Sequence, residues 1–465
     1  MDYISTRGAA PKLDFAGVLL AGLAEDGGLY WPESWPTLSA SDLSALRGMP
    51  YPELAARVMA PFMQGVVPFE TLLRFTREAY AGFRHEAVVP LVQITESIFS
   101  LELFHGPTLA FKDMAMQLLG RLFDYILSQS GQRITIVGAT SGDTGSAAIE
   151  AFAGRACVDL VILHPHNRTS VVQRRQMTTV SAANIRNVAI EGNFDDCQDM
   201  VKAMFKDSSF RANLKLSAVN SINWARIAAQ IPYYIAAGVA LGAPERPISV
   251  SVPTGNFGNV LAAWGARKIG LPIARAIVAS NRNDILARFL AANDMTMRPV
   301  EPSLSPSMDI QVSSNFERLL FELLGRDGAR TAAIMSDFRT TSTMHIPPEA
   351  HAAARKFFVG HRLSDLETLE EIRRLDRECG YLADPHSAIG INAARHHFVE
   401  GVVTIAAATA HPAKFPDAME QATGRRPELP ASLADLFTRP EHFTVLPNDV
   451  SRVKDFVRDF AKRNV

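Results

Sequence analysis

Residues 248–259 read Ile248-Ser249-Val250-Ser251-Val252-Pro253-Thr254-Gly255-Asn256-Phe257-Gly258-Asn259. The β-branched run 248–252 has the composition of a strand. A turn with two glycines three apart follows, and then a helical pattern over 259–269. A strand that enters a helix through a glycine turn is the building unit of parallel α/β architecture. A helix entry of this kind also presents a nest of backbone N–H groups suited to a phosphate monoester, and Asn256 and Asn259 add side-chain donors. The turn carries no lysine, so it suits a phosphate held permanently, as on a cofactor. The same residues also spell an ordinary Asn-Gly turn, and alone they leave both readings open.

The unit recurs. Strands are expected at 98–104, 133–137, 158–163, 187–190, 275–279 and 402–407. Helical patterns lie between them at 114–127, 145–153, 196–205 and 224–239. This alternation implies parallel sheets covered on both faces, with material for two α/β lobes and a cleft between them. The first ninety or so residues look mostly helical, with patterns at 41–49 and 52–63. The chain closes with a Pro-rich connection at 427–430 and an amphipathic helix near 453–460.

Composition narrows the function classes. The chain has 465 residues, 47% hydrophobic and 20% charged, with 47 basic and 48 acidic side chains for a net charge of −1. It can bury a sizeable core, and it lacks the basic field expected of a protein that lives on nucleic acid or anionic membrane. Cys157, Cys197 and Cys379 have neither disulfide-framework nor zinc-ligand spacing. No basic stretch followed by an apolar core opens the sequence, so no signal peptide is expected. The uncharged stretch between Arg226 and Glu245 reads as a buried helix rather than a membrane span. The expectation is a cytoplasmic enzyme without metal; no interface signature is legible, and a monomer is expected.

Two further junctions carry chemistry. In Glu102-Leu103-Phe104-His105-Gly106-Pro107-Thr108-Leu109-Ala110-Phe111-Lys112-Asp113, a strand ends, a Gly-Pro turn follows and a helix begins. Lys112 therefore stands at an electropositive helix entry beside apolar neighbours, and both disfavour the ammonium. That setting makes a neutral lysine able to form a Schiff base; a surface lysine with its stem over Phe111 is the alternative. The second junction is Gly138-Ala139-Thr140-Ser141-Gly142-Asp143-Thr144-Gly145. The hydroxyls of Ser141 and Thr144 can hold a carboxylate or phosphate at the helix start, and the junction matches neither the Walker A loop nor the dinucleotide fingerprint. An imine-forming lysine, a phosphate cradle and a carboxylate loop are the parts that a pyridoxal-phosphate enzyme takes from its protein.

Taken with these segments, Tyr3–Gly8, Asn220-Ser221-Ile222-Asn223-Trp224-Ala225-Arg226, Ser305-Pro306-Ser307-Met308-Asp309-Ile310, Ser313–Arg318, Asp384-Pro385-His386-Ser387-Ala388 and Ala408-Thr409-Ala410-His411-Pro412-Ala413-Lys414-Phe415 carry a resemblance over nearly the whole chain. The sequence resembles the threonine synthases, within the tryptophan-synthase-β-like (fold type II) pyridoxal-phosphate enzymes, and in particular their branch with an extended N-terminal region.

The resemblance implies a carbon–oxygen lyase acting on phosphates, which converts O-phospho-L-homoserine and water into L-threonine and phosphate. It implies an N-terminal region over 1–95, a large cofactor-binding domain over 96–135 and 222–420, and a small domain over 136–221. A C-terminal extension over 421–465 would pack on the large domain. It implies that Lys112 holds the cofactor and moves protons, and that Gly255, Asn256, Phe257, Gly258 and Asn259 hold its phosphate. Asp143 and Thr409 would face its ring, and Ser141, Gly142 and Thr144 the amino-acid end of the substrate. The substrate brings a second phosphate, for which Arg226, His411 and Lys414 are candidates, with Ser221 and Asn223 as further donors and Arg7 as a weaker one. Asp384, His386, Asn315, Glu317 and Arg318 would order this face of the site. The competing readings are a threonine or serine dehydratase of the same fold, a catalytically idle homologue acting as a binding module, and a nucleotide-binding protein.

Overall fold

Two parallel sheets organise the chain in the computed structural model, which describes residues 1–140 and 142–462. The larger runs in the order Phe358–Arg362, Ile273–Ser280, Ile248–Pro253, Val403–Ala408, Ile98–Glu102, Leu91–Gln93. Its strands are parallel except for Leu91–Gln93, which pairs antiparallel at the edge. The smaller runs Thr444–Pro447, Ile185–Glu191, Val158–Pro165, Ile134–Ala139, Leu216–Ser217, all parallel. Val158–Pro165 is buried at all eight positions, as expected of a central strand covered on both faces.

Three adjacent strands of the larger sheet decide where chemistry can occur. Ile248–Pro253, Val403–Ala408 and Ile98–Glu102 lie side by side and point the same way. Their carboxyl ends therefore deliver the loops at 254–257, 409–415 and 103–111 to one edge, where ligands of parallel sheets bind. Helix Lys112–Gln129 then leads into the smaller sheet, whose strand Ile134–Ala139 delivers the loop before helix Asp143–Phe152.

The N-terminal region carries helices Phe15–Ala21, Ala40–Ala45, Tyr51–Met59 and Phe69–Tyr80, and a short antiparallel pair, Tyr3–Ser5 with Tyr30–Pro32. It is fastened to the larger lobe by aromatic packing. Trp31 lies 5.1 Å from Trp224, 5.2 Å from Trp35 and 5.8 Å from Trp264, centroid to centroid. All four tryptophans of the chain thus share one cluster, and Tyr3 closes it by donating its hydroxyl to the Phe62 carbonyl. Aromatic contacts of this kind add about 0.5–1.5 kcal/mol per pair beyond area burial.

Two expectations are corrected. The helix expected at 224–239 is broken into Trp224–Ala228 and Ile231–Ala240. Pro232 sits in the first turn of the second piece, where its missing N–H is harmless; further into a continuous helix it would cost a hydrogen bond. The C-terminal extension starts on the larger lobe, where Ala422 and Arg425 meet Arg373 and Asp376, but its last strand and helix pack on the smaller lobe, not the larger. Thr444–Pro447 adds to the edge of that sheet beside Ile185–Glu191. Helix Val450–Lys462 then buries Val453, Val457 and Phe460 against Cys197, Met200, Met204 and Phe210. An open sheet edge accepts any extended segment, and a four-residue strand leaves little periodicity to read.

Candidate active site

Lys112 opens its helix without a side-chain cap. Its Nζ lies 3.4 Å from Asp143 Oδ2 and 5.1 Å from the centre of the Phe111 ring. Burial lowers its pKa, and the positive charges of Lys414 and Arg226 add to that, against the opposing pull of Asp143. The lysine is therefore set to lose its proton more readily than one on the surface.

Asp143 is the hub of the site. Its Oδ1 lies 2.7 Å from Lys414 Nζ and accepts from Gln173 Nε2 at 2.8 Å. Its Oδ2 faces Lys112 and, at 3.5 Å, the Ser307 hydroxyl. Burial pushes the carboxyl upward, yet Lys414, Lys112 and Gln173 outweigh that and hold it well below the usual carboxylate range. It stays ionised. The loop before it is shaped by Gly142, at φ +149°, where a Cβ would stand 2.4 Å from the Gln173 side chain. Thr140 Oγ1 accepts from the N–H groups of Gly142 and Gly145 and so pins the turn. Thr144, half-buried, stands in the first turn of the helix. Ser141 lies outside the described residues.

The turn at 254–259 is built as a cradle. Helix Gly258–Lys268 begins at Phe257 with no side-chain cap, which leaves first-turn N–H groups open. Phe257 is itself left-handed, at φ +62°, a cost met by seating its ring between Phe316 and Phe358. A Cβ on Gly255 would stand 2.7 Å from the Ser307 carbonyl oxygen. Asn259 accepts from the hydroxyls of both Tyr233 and Tyr234, at 2.6 and 2.5 Å, which fixes its amide. Its Nδ2 is buried with no partner. An orphaned buried donor costs roughly 1–3 kcal/mol, so this cradle fits an oxyanion that supplies the missing acceptor. A cofactor phosphate is such a group.

Arg226 is 4% exposed and has no carboxylate partner among the described residues. It donates to the Val219 carbonyl at 3.2 Å, while its Nε is buried and unpartnered. Burial alone lowers its pKa to about 10, so it remains a cation. A buried, unpaired guanidinium is expensive and marks a place for an anion.

The remaining expected residues are placed otherwise. Lys414 is fully buried, and its ammonium serves Asp143 and the Thr108 carbonyl, the latter at 2.7 Å; it is committed to the protein rather than open to a substrate. His411 caps its own turn by accepting from Ala413 N–H, packs edge-on against Phe104, and is lowered to about 4 by burial and the nearby Arg84 and His105. It is neutral near pH 7 and offers no positive charge. Asn223 spends both ends of its amide, accepting from Ala225 N–H and donating to the Leu19 carbonyl. Arg7 is bound through Nε and Nη2 to the Glu317 carboxylate, at 3.0 and 2.9 Å. Ser221 is half-buried, and its carbonyl accepts from Asn315 Nδ2. That same amide donates to the Asn256 carbonyl, and Arg318 holds Asn315 in turn. Thr409 is 6% exposed; its N–H donates to Ser387 Oγ and its carbonyl accepts from Phe111 N–H.

Gln173, Gln176 and Thr140 were not expected. Gln176 donates to the Thr108 carbonyl that Lys414 also uses. The two glutamines lie on Val171–Thr178, an unremarkable polar helix in sequence, and nothing local signals its contact with the site. Among the described residues no group of His, Cys, Asp and Glu is arranged to hold a metal, and no helix is long and apolar enough to cross a membrane.

Family models agree with the geometry. One for the threonine synthase N terminus matches residues 2–80, one for pyridoxal-phosphate dependent enzymes matches 84–355, and one for the threonine synthase C-terminal region matches 387–457. The chain is similar to the threonine synthase of Pseudomonas aeruginosa, 53% identical over 100% of this chain and 99% of that one. It is also similar to a crystal structure of pyridoxal-phosphate-bound threonine synthase from Brucella melitensis, at TM-score 0.98 and 52% identity over 99% and 100% of the two chains. The yeast threonine synthase structure matches at TM-score 0.93 and 36% identity, over 99% of each chain.

Proposed function

The chain belongs to the threonine synthase family of pyridoxal-phosphate-dependent, fold type II enzymes, and on that premise we propose that its cleft converts O-phospho-L-homoserine and water into L-threonine and phosphate. Pyridoxal phosphate, when bound, supplies the electron sink for negative charge that develops beside the substrate's amino group. Lys112 is the residue that carries it. Gly255, Asn256, Phe257, Gly258 and Asn259 would hold its phosphate, and Asp143 and Thr409 would line the place of its ring.

Lys112 would also serve as the base that moves a proton at the substrate α-carbon. Its lowered pKa favours the neutral amine that such a proton transfer needs. Asp143 keeps a negative charge beside the lysine and so limits how far its pKa falls. Thr144, in the first turn of helix Asp143–Phe152, binds the substrate carboxylate through its hydroxyl and the first-turn N–H groups, on the turn that Gly142 shapes. Arg226 takes the substrate phosphate, with the Ser221 side chain beside it, and holds that end of the substrate while the γ carbon–oxygen bond breaks. Asn223, His411 and Lys414 support the site from behind: they cap, pack and neutralise.

The observation that carries this reading is Arg226, a buried cation with an unpartnered Nε and no carboxylate partner among the described residues, whose charge also lowers the Lys112 pKa. A dehydratase acting on threonine or serine handles one phosphate, that of the cofactor; this site provides for two. Three unpaired cysteines accord with a cytoplasmic enzyme. The purified protein should release phosphate from O-phospho-L-homoserine with threonine formed in equal amount. Oxoacid from L-threonine or L-serine, without phosphate release, would overturn the assignment in favour of a dehydratase.

A further inference from the structure

The turn at 303–311 approaches the site from the larger lobe and is tied down at both ends. Asp309 Oδ1 accepts from Asn281, Asn283 and Ser303 side chains, and its Oδ2 from the Ser303 N–H. At its apex Ser307 touches the site twice. Its carbonyl lies against Gly255 of the phosphate cradle, and its hydroxyl stands 3.5 Å from the Asp143 oxygen that faces Lys112. A serine so placed needs its backbone fixed, and one side chain does that. His386 Nε2 accepts the Ser307 N–H at 3.2 Å, while its Nδ1 lies 2.7 Å from Asp384 Oδ2.

The tautomer follows from the partners. A carboxylate oxygen is an acceptor, so the His386 proton sits on Nδ1; a peptide N–H is a donor, so Nε2 presents its lone pair. Asp384 is itself immobilised. It is fully buried, and it accepts from the N–H groups of His386 and Ser387 and from the Ser387 hydroxyl. The ring of His386 packs 5.0 Å from that of Phe415. Asp384, the N-cap of helix Pro385–His396, thus sets the tautomer of His386 in the first turn and aims its free nitrogen at one backbone N–H.

We infer that His386, held in one tautomer by Asp384, is a positioning residue that fixes Ser307 so that its hydroxyl meets the Asp143 carboxylate beside Lys112. It does so without touching Lys112 itself. The inference rests on the reading of Lys112 and Asp143 as the reacting end of the site. Ser307 Oγ at its present distance is at the outer limit of hydrogen bonding, and a loosened turn would lose the contact altogether. Misplacement of about 1 Å near a reacting centre costs on the order of a hundredfold in rate.

The test compares His386→Ala, His386→Gln and Ser307→Ala in the full chain. Gln retains an acceptor near the position of Nε2, and Ala does not. His386→Ala should lower kcat by tenfold or more with KM for O-phospho-L-homoserine little changed, and His386→Gln should recover most of that loss. Backbone hydrogen exchange of a peptide spanning 303–311, measured without cofactor or substrate, should quicken in His386→Ala and return toward the parent in His386→Gln. Ser307→Ala should reproduce the kinetic loss with exchange unchanged. Unchanged exchange and kcat in His386→Ala would overturn the inference, as would a Gln variant no better than Ala in both readouts. A parent protein that forms no threonine would instead overturn the proposed function, and the exchange data would still report on the turn.

Discussion

Lys414 Nζ lies 2.7 Å from Asp143 Oδ1, with its side chain wholly shut off from solvent. A buried ammonium has to be matched by a buried carboxylate, and this one is matched by the same carboxylate that faces Lys112. Asp143→Asn should therefore act twice. It strands the Lys414 charge, which costs about 3–5 kcal/mol of stability, and it removes the negative charge beside Lys112. Adding Lys414→Met should recover stability in chemical denaturation while turnover stays lost. Equal stability of Asp143→Asn and parent would mean that Lys414 finds another partner.

Arg226 carries the opposite expectation. A buried cation without a counter-ion destabilises the empty protein, so Arg226→Met should raise the Tm of the ligand-free form. The same change should raise KM for O-phospho-L-homoserine by roughly ten- to a hundredfold, the worth of a hydrogen bond to a charged group. Cofactor affinity, followed by absorbance on titration, should move far less. A matching loss of both affinities would assign Arg226 to the cofactor.

Gly255 has no room for a side chain, because a Cβ there would stand 2.7 Å from the Ser307 carbonyl oxygen. Gly255→Ala should weaken cofactor binding by displacing the cradle from the 303–311 turn, while circular dichroism and Tm of the ligand-free protein change little. Unaltered cofactor affinity would show that the turn can give way.

His164 and His411 set an acid limit on stability. Burial lowers each to about 4, against about 6.5 in an unfolded chain. Between those values the unfolded state binds the protons and the folded state does not, so stability rises with pH and is lost as pH falls from about 6.5 to 4. Each histidine accounts for up to about 3 kcal/mol of that loss by pH 4. His164→Leu should flatten the fall of denaturation free energy over this interval by about one proton, as the slope reports. An unchanged slope would place the histidine's titration elsewhere.

The parts legible in the sequence were those whose chemistry is local. Lys112 at a helix entry, the glycines of 255–258 and the alternation that makes two parallel sheets all depend on neighbours a few residues away. Commitments to distant partners were not legible. Arg7 looks like a free cation until Glu317 is folded onto it, 310 positions along the chain. Asn223 looks like a substrate donor until Leu19 takes its amide. Lys414 sits in a distinctive run, but only folding brings Thr108 and Asp143 to it. His411 was read as a charge, and its burial keeps it neutral. Gln173 was invisible because nothing about a polar helix tells that one of its amides will reach Asp143.

The gathering of every indole at the seam between the N-terminal region and the larger lobe gives the protein a built-in optical reporter. Trp224 stands two residues before Arg226, and Trp264 lies on the helix that opens at the 254–257 turn. Tryptophan emission from this chain is therefore the signal of one place, five to six ångströms across between rings. A shift in its colour or intensity during unfolding, truncation or ligand addition reads the docking of that seam, with no label added and no averaging over the rest of the molecule.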